Sequence, residues 1–353
     1  MPHPNVFPDS LIVSPSTDSI ARAADCLLAG NLIGFPTETV YGLAARGDDV
    51  SAVNRIFAAK KRPRHNPLIL HVACFEDALS LFAADLSQAL LRRAERLAAF
   101  WPGPLTMIGP RHDRVLDEIT AGGETVAVRV PDHPVALAVL RRLAEVAGHP
   151  VPVAAPSANV SNYVSPTTAD HVAEGLGDQV ALILDGGPCR LGLESTIVYL
   201  GDDASPARVL RSGALSAECL SRELGEPVVD VPRVVNDNIA APGQFAKHYS
   251  PRTPLILRDE LSSSIDSSST HSGPQRHRVL QIVFGPITPS MRAGGNEVWT
   301  FSSDGRLETA AANLYATLRR ADAGGYDRID VVACDASGLG NAILDRLSRA
   351  SQR

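Results

Sequence analysis

Phe35-Pro36-Thr37-Glu38-Thr39-Val40-Tyr41-Gly42-Leu43 sets three hydroxyl groups in one short turn, and Lys60-Lys61-Arg62-Pro63-Arg64-His65-Asn66-Pro67-Leu68 follows one helix later. Hydroxyls give and take neutral hydrogen bonds, Lys supplies a point charge, and Arg offers a planar fork that matches phosphate or carboxylate oxygens. Between Arg46 and Asn66, six Lys or Arg (Arg46, Arg55, Lys60, Lys61, Arg62, Arg64) stand against Asp48 and Asp49, in a chain of net charge −6. A basic segment on an acidic protein suits a focused site for a small polyanion better than a broad nucleic-acid face. A Lys/Arg run at a helix end is by itself usually a solvated complement to the helix dipole. Here the run stays basic through Pro63 into Asn66-Pro67, and His71 follows on the next strand.

Two further segments carry polar groups of the same kind. Ala154-Ala155-Pro156-Ser157-Ala158-Asn159-Val160-Ser161, continuing to Ser165-Pro166-Thr167-Thr168, ends a strand on small residues and then offers hydroxyls and an amide. Small side chains let a ligand approach the backbone, although Thr167 or Thr168 alone reads as a helix cap. Asp185-Gly186-Gly187-Pro188, Gly192-Leu193-Glu194-Ser195-Thr196-Ile197-Val198 and Leu210-Arg211-Ser212-Gly213 are glycine-rich turns into or out of strands. Neither GxxxxGK[ST] nor GxGxxG occurs, so a nucleotide has to be held without a P-loop.

Helical spacing of apolar residues predicts helices over 19–28, with Asp18 as cap, 50–60, with Asp49 as cap, 75–84, 87–101 and 134–145. Strands are expected at 32–35, 68–72, 105–108, 125–130, 151–155, 181–184, 196–200 and 208–210, which mix with the helices without strict alternation. The pattern predicts an α/β domain with a twisted mixed sheet over residues 1–224. Residues 225–251 read as an ordered extended linker. Residues 252–353, with strands at 254–257, 279–284, 298–301 and 329–333 and helices at 307–323 and 339–350, read as a smaller Rossmann-like α/β domain. A serine-rich insertion at 262–272 reads as a surface loop.

At 353 residues the chain is long for one core, and 44% hydrophobic with 20% charged residues is ordinary globular composition. The cysteines (Cys26, Cys74, Cys189, Cys219, Cys334) are scattered, with no CxxC pair and no metal-ligand spacing. Met1-Pro2-His3-Pro4 does not open a signal peptide, and no apolar run is long enough to span a bilayer. A cytoplasmic location is expected.

Taken together, Lys60, Arg62, Ser157 and Asn159, the Phe35–Leu43 segment and Glu194-Ser195-Thr196-Ile197-Val198 resemble the YrdC-type L-threonylcarbamoyladenylate synthases. Ala241-Pro242-Gly243-Gln244-Phe245-Ala246-Lys247-His248-Tyr249-Ser250-Pro251 resembles the linker motif of that family's long, two-domain form. The resemblance implies a concave basic pocket and synthesis of threonylcarbamoyl-AMP from L-threonine, bicarbonate or CO2, and ATP, with pyrophosphate released. The product would serve a downstream tRNA threonylcarbamoyl-transferase complex. It further implies that Thr39, His71, Arg129, Ser157 and Ser195 bind threonine. Arg62, Asn66, Thr125, Asn159, Thr167 and Arg211 would bind ATP, with Lys60 facing the phosphates and His248 and Tyr249 closing over the nucleotide. Lys60, Arg62, Ser157 and Asn159 form the signature assigned to catalysis. Magnesium would bridge phosphates through water, because no carboxylate cage is visible. Asn162 stands where the family commonly has glycine, and Asn tolerates positive φ.

The residue types fit that reaction. A carbamate attacking a nucleotide phosphate brings two anions together, so positioning and cationic stabilisation matter more than a protein nucleophile. Two alternatives are an RNA-binding protein using the same basic segment, without stacking aromatics to support it, and the carbamoyltransferase of hydrogenase maturation, which should carry zinc-finger cysteines.

Overall fold

The computed structural model describes residues 10–230, 248–259, 278–292 and 297–352. The chain forms two compact units, one of Met1–Ser161 with Ser165–Phe245, the other of Asn162–Val164 with Ala246–Arg353. Residues 231–247 of the expected linker, with 241–247 of its motif, and the serine-rich insertion at 262–272 lie outside the described residues.

The first unit is built on a mixed sheet. Its strands are β1 (Ile12–Val13), β2 (Ile33–Phe35), β3 (Gly42–Arg46), β4 (Ile69–His71), β5 (Leu105–Pro110), β6 (Thr125–Arg129), β7 (Val153–Ala154), β8 (Leu182–Leu184), β9 (Thr196–Tyr199), β10 (Arg208–Arg211) and β11 (Val229–Asp230). Their order is β1-β8-β2-β3-β7-β4-β6-β5-β9-β10-β11. Side chains alternate along each strand, so register decides which residues share a face. Leu43, Leu70, Ala154 and Val128 point into one core, where Val53, Ile56 and Phe57 of the helix Val50–Lys60 also pack. Ile33, Phe35, Ala44, Val153 and Leu184 point the other way, under the helices Thr17–Leu28 and Pro134–Ala147. Those two helices cover only part of that second face. Farther along it Ile69, Ile108, Ala127 and Ile197 form a small separate cluster. His71 pairs in register with Arg129, and Thr106 with Ile197. Alternation therefore puts His71, Arg129 and Thr125 on the same face as Ile69 and Ala127.

The helix over 50–60 forms as its spacing predicts, with Asp49 capping Ser51 and Ala52. It ends at Lys61, whose φ of 51° is left-handed, before Pro63 is reached. The first helix starts earlier than expected: Ser16, not Asp18, is its cap, and Ser16 and Ser19 form a capping box. Strand β3 lacks the β-branched residues that mark strands, and only its pairing with β2 and β7 makes it one. The helices Asp117–Thr120 and Ala217–Leu224 were also not expected. The helix Ala169–Leu176 follows the cap read at Thr167 or Thr168, and Thr168 is the one that caps it.

In the second unit β12 (Leu255–Arg258), β13 (Val279–Val283), β14 (Glu297–Thr300) and β15 (Arg328–Val332) form a parallel sheet in the order β12-β15-β13-β14. The helices Leu307–Ala323 and Leu339–Ala350 have the expected bounds, and parallel strands with helical crossovers fit a Rossmann-like domain. Asn162–Val164 belongs to this unit. The Tyr163 hydroxyl donates to Asp322 at 2.8 Å, Arg319 donates to the Val164 carbonyl at 2.7 Å, and both Arg252 and Arg319 lie against the Tyr163 ring. Asn162 has a φ of 69°, the left-handed conformation that the missing glycine would otherwise supply.

Candidate active site

The site begins with Arg129, at the end of β6 and 4% exposed. All three of its guanidinium nitrogens have neighbours. Nε donates to the Gly103 carbonyl at 3.1 Å, Nη1 donates to Thr39 Oγ1 at 2.9 Å, and Nη2 lies 2.6 Å from Glu38 Oε1. That last contact is close enough for an ion pair but too oblique for a hydrogen bond, so Nη2 and both Glu38 oxygens lack a hydrogen-bond partner among the described residues. A guanidinium has five N–H groups, so one remains on Nη1 as well as those on Nη2. The two terminal nitrogens can thus still meet a carboxylate.

The Thr37–Thr39 turn is held from within. Thr37 Oγ1 donates to the Val40 carbonyl at 2.7 Å and lies 2.8 Å from Thr39 Oγ1. Tyr41 ties the turn to the glycine-rich segment, donating to the Gly187 carbonyl at 2.8 Å and accepting from Gly186 N at 3.0 Å. A Cβ at Gly186 would sit 2.6 Å from both Pro36 and His133, so only glycine lets this loop approach. His71 lies beside Arg129, 3% exposed, with its ring edge-on to Phe35. Burial first, and the Arg129 charge second, lower its pKa to about 3, so the imidazole is neutral at physiological pH.

Ser195 precedes β9. Its Oγ lies 2.7 Å from Thr106 Oγ1 and accepts from Arg211 Nη2 at 3.0 Å, while Arg211 Nε donates to the Ser195 carbonyl. Gly213 makes this possible, because a Cβ there would fall 2.5 Å from Thr196 N. Thr125 begins β6, in a small cleft with Pro67, Leu68, Ile108, Thr120 and Ala127.

The signature residues divide. Arg62 is knitted into its own loop, with Nη2 donating to Asn66 Oδ1 at 2.6 Å and to the Pro67 carbonyl at 2.8 Å. Lys60, expected to face phosphates, is 1% exposed and donates to the carbonyls of Ser157 and Asn159, each at 2.5 Å. Burial, then the Arg62 charge, hold its pKa well below the usual lysine range. The rest of the basic segment is dispersed: Arg46 pairs with Asp48, Arg55 donates to the Gly30 carbonyl at 2.7 Å, and Arg64 turns to Asn54.

The structure thus joins Thr39, His71 and Arg129, joins Ser195 to Arg211, and joins Lys60 to the Ser157–Asn159 loop. Thr167 is buried against His171. His248 and Tyr249 belong to the second unit, where Tyr249 stacks on Tyr315 and lies under Arg346. Glu38 was missed as a site residue by sequence reasoning, although an acid between two hydroxyls was a visible signal. Among the described residues, no group of three or more His, Cys, Asp or Glu could hold a metal ion, and no helix is long and apolar enough to cross a membrane.

A mixed sheet whose second face carries a buried Arg, a neutral His and hydroxyls, with no P-loop, defines an α/β domain of the YrdC type. Residues 25–213 match the family model described as telomere recombination, which spans the YrdC-type domains, and residues 215–352 match the threonylcarbamoyl-AMP synthase C-terminal domain. The threonylcarbamoyl-AMP synthase of Bacillus subtilis is 38% identical over 96% of this chain and 94% of its own length. That of Pyrococcus abyssi is 39% identical over 94% of each. The crystal structure of P. abyssi Sua5 complexed with L-threonine is 35% identical, with a TM-score of 0.81 over 97% of this chain and 98% of that one. The chain belongs to the threonylcarbamoyl-AMP synthase family.

Proposed function

We infer that this protein synthesises L-threonylcarbamoyl-AMP from L-threonine, bicarbonate or CO2, and ATP, releasing pyrophosphate. The observation that carries the reading is the buried cluster of Thr39, His71 and Arg129, in a chain that matches named synthases along nearly its whole length. That full-length match favours the synthase over the hydrogenase-maturation carbamoyltransferase and over a protein that only binds RNA.

Arg129 holds the threonine carboxylate with its terminal nitrogens, and Thr39, Ser157 and Ser195 offer hydroxyls to the rest of the amino acid. His71, neutral, adds hydrogen bonding without a second charge. Arg62, Asn66, Asn159, Thr125, Thr167 and Arg211 serve the nucleotide, with the apolar floor of Ile108, Ala127 and Ile197 beneath the site. Lys60 acts through the loop that carries Ser157 and Asn159. Magnesium would supply charge neutralisation to the nucleotide phosphates, since the described residues offer no carboxylate cage for it. The reactive mixed anhydride goes on to a tRNA-modifying transferase, and the reaction is placed in the cytoplasm.

Pyrophosphate release from ATP that requires both L-threonine and bicarbonate tests this reading, and release independent of threonine rejects it. With 2-aminobutyrate the rate should fall further than with serine. A lost methyl is worth roughly 1–3 kcal/mol, whereas a lost hydroxyl leaves a buried partner unpaired. Equal rates with threonine and 2-aminobutyrate would show that no buried group reads the hydroxyl. Arg62→Ala should lower turnover strongly with the fold intact, since one charge-assisted contact is worth about 1.5–3 kcal/mol. Near-wild-type turnover at saturating ATP would remove Arg62 from the nucleotide set.

A further inference from the structure

Glu38 is 2% exposed and shares its turn with Thr37 and Thr39. Arg129 stands beside it as a counter-ion, yet it is poorly hydrogen-bonded. The Arg129 contact at 2.6 Å is oblique, and among the described residues no donor reaches either carboxylate oxygen in hydrogen-bond geometry. Buried carboxylates in proteins are normally paired and also hydrogen-bonded, because each oxygen has two lone-pair sites to fill. Glu194 in the same unit follows that rule, accepting from Ser165 Oγ at 2.7 Å. Glu38 also acts on the groups around it: after burial, its charge is the largest cause that raises the Cys189 thiol, and it counters the lowering of His133.

A carboxylate with unfilled acceptor sites beside a guanidinium with unfilled donor sites is a matched pair for a compact zwitterion. An α-amino acid is such a molecule, its ammonium and carboxylate being attached to the same carbon. A threonine carboxylate on the terminal nitrogens of Arg129 leaves its ammonium one carbon away, next to the Glu38 oxygens. The neighbouring His71, held neutral, does not compete for either charge.

We propose that Glu38 receives the α-ammonium of the substrate while Arg129 holds its carboxylate, so that the two together select an α-amino acid. The inference rests on L-threonine being the substrate and on Arg129 being its carboxylate clamp. Glu38 is then a specificity-determining residue in direct contact with the amino group.

The test is calorimetric binding to the full-length chain of three probes: L-threonine, 2,3-dihydroxybutanoate of the same configuration, and a non-hydrolysable ATP analogue. The second probe keeps the carboxylate and side chain of threonine but carries a hydroxyl in place of the ammonium. Glu38→Gln should weaken L-threonine at least about tenfold, as expected when a buried charge-assisted contact is lost. It should leave the dihydroxy acid within about twofold and the nucleotide analogue unchanged. Parallel weakening of both acids would overturn the proposal, since Glu38 would then only support Arg129. Unchanged threonine affinity would overturn it equally. If Glu38→Gln cannot bind the nucleotide analogue, Glu38→Asp replaces it, and the same comparison of the two acids decides. Failure of the wild-type chain to bind L-threonine would instead count against the proposed function.

Discussion

Arg129→Met is expected to abolish threonine-dependent pyrophosphate release and to destabilise the first unit by about 3–5 kcal/mol. Both effects come from one guanidinium. Two charge-assisted contacts to a carboxylate account for at least about a hundredfold in kcat/KM for threonine. The stability loss arises because Glu38, with 1% of its side chain exposed, is left as a buried charge with no counter-ion. Glu38→Gln in the same chain should recover most of the stability, because it removes the stranded charge, and none of the activity. Trp101 lies in the first unit and Trp299 in the second, so denaturant unfolding followed by fluorescence in a Trp299→Phe background reports on the first unit alone. Single and double variants equal in stability would mean that the pair is not coupled. Retained threonine-dependent turnover in Arg129→Met would remove Arg129 from the site.

Lys60→Met is expected to cost both activity and stability, which separates a lysine that anchors a loop from one that faces phosphate. Met fills a similar volume but takes the amine donor away from the carbonyls of Ser157 and Asn159, at about 1–3 kcal/mol, and leaves Ser157 held by the Asn159 N–H at 3.0 Å. Ser157 and Asn159 then lose their anchor, and a displacement of about 1 Å in a positioning group can cost roughly a hundredfold in rate. Lys60→Arg should fail too, since a guanidinium is too large for a site 1% exposed. Steady-state kinetics with ATP and threonine varied in turn, alongside thermal unfolding, check the prediction. Lost activity at unchanged stability would return Lys60 to the phosphates.

Some of this was written in local order alone. The helices over 50–60, 307–323 and 339–350 follow from apolar spacing between a start and a stop, and such signals act within a few residues. The family was equally legible, because Lys60, Arg62, Ser157, Asn159 and the Phe35–Leu43 turn are patterns of residue type and spacing. The positive φ of Asn162 was legible for the same reason: it is a property of one residue's backbone. Strand β3 was not, because Gly42-Leu43-Ala44-Ala45-Arg46 has no strand propensity of its own and is a strand only between β2 and β7. Nor could the charge excess of 46–66 show where its charges point. Tertiary contacts send Arg46 to Asp48, Arg55 to the Gly30 carbonyl and Lys60 to two carbonyls almost a hundred residues away. Whether an ionisable side chain is a surface charge, a loop anchor or a substrate ligand depends on the solvent and the partners that folding brings to it. The sequence by itself determined the family, the main elements and the residue types at the site. Only the tertiary structure decided that Glu38 stands with Arg129, that His71 is neutral and that Lys60 supports the Ser157–Asn159 loop, because each depends on burial and on partners distant in the chain.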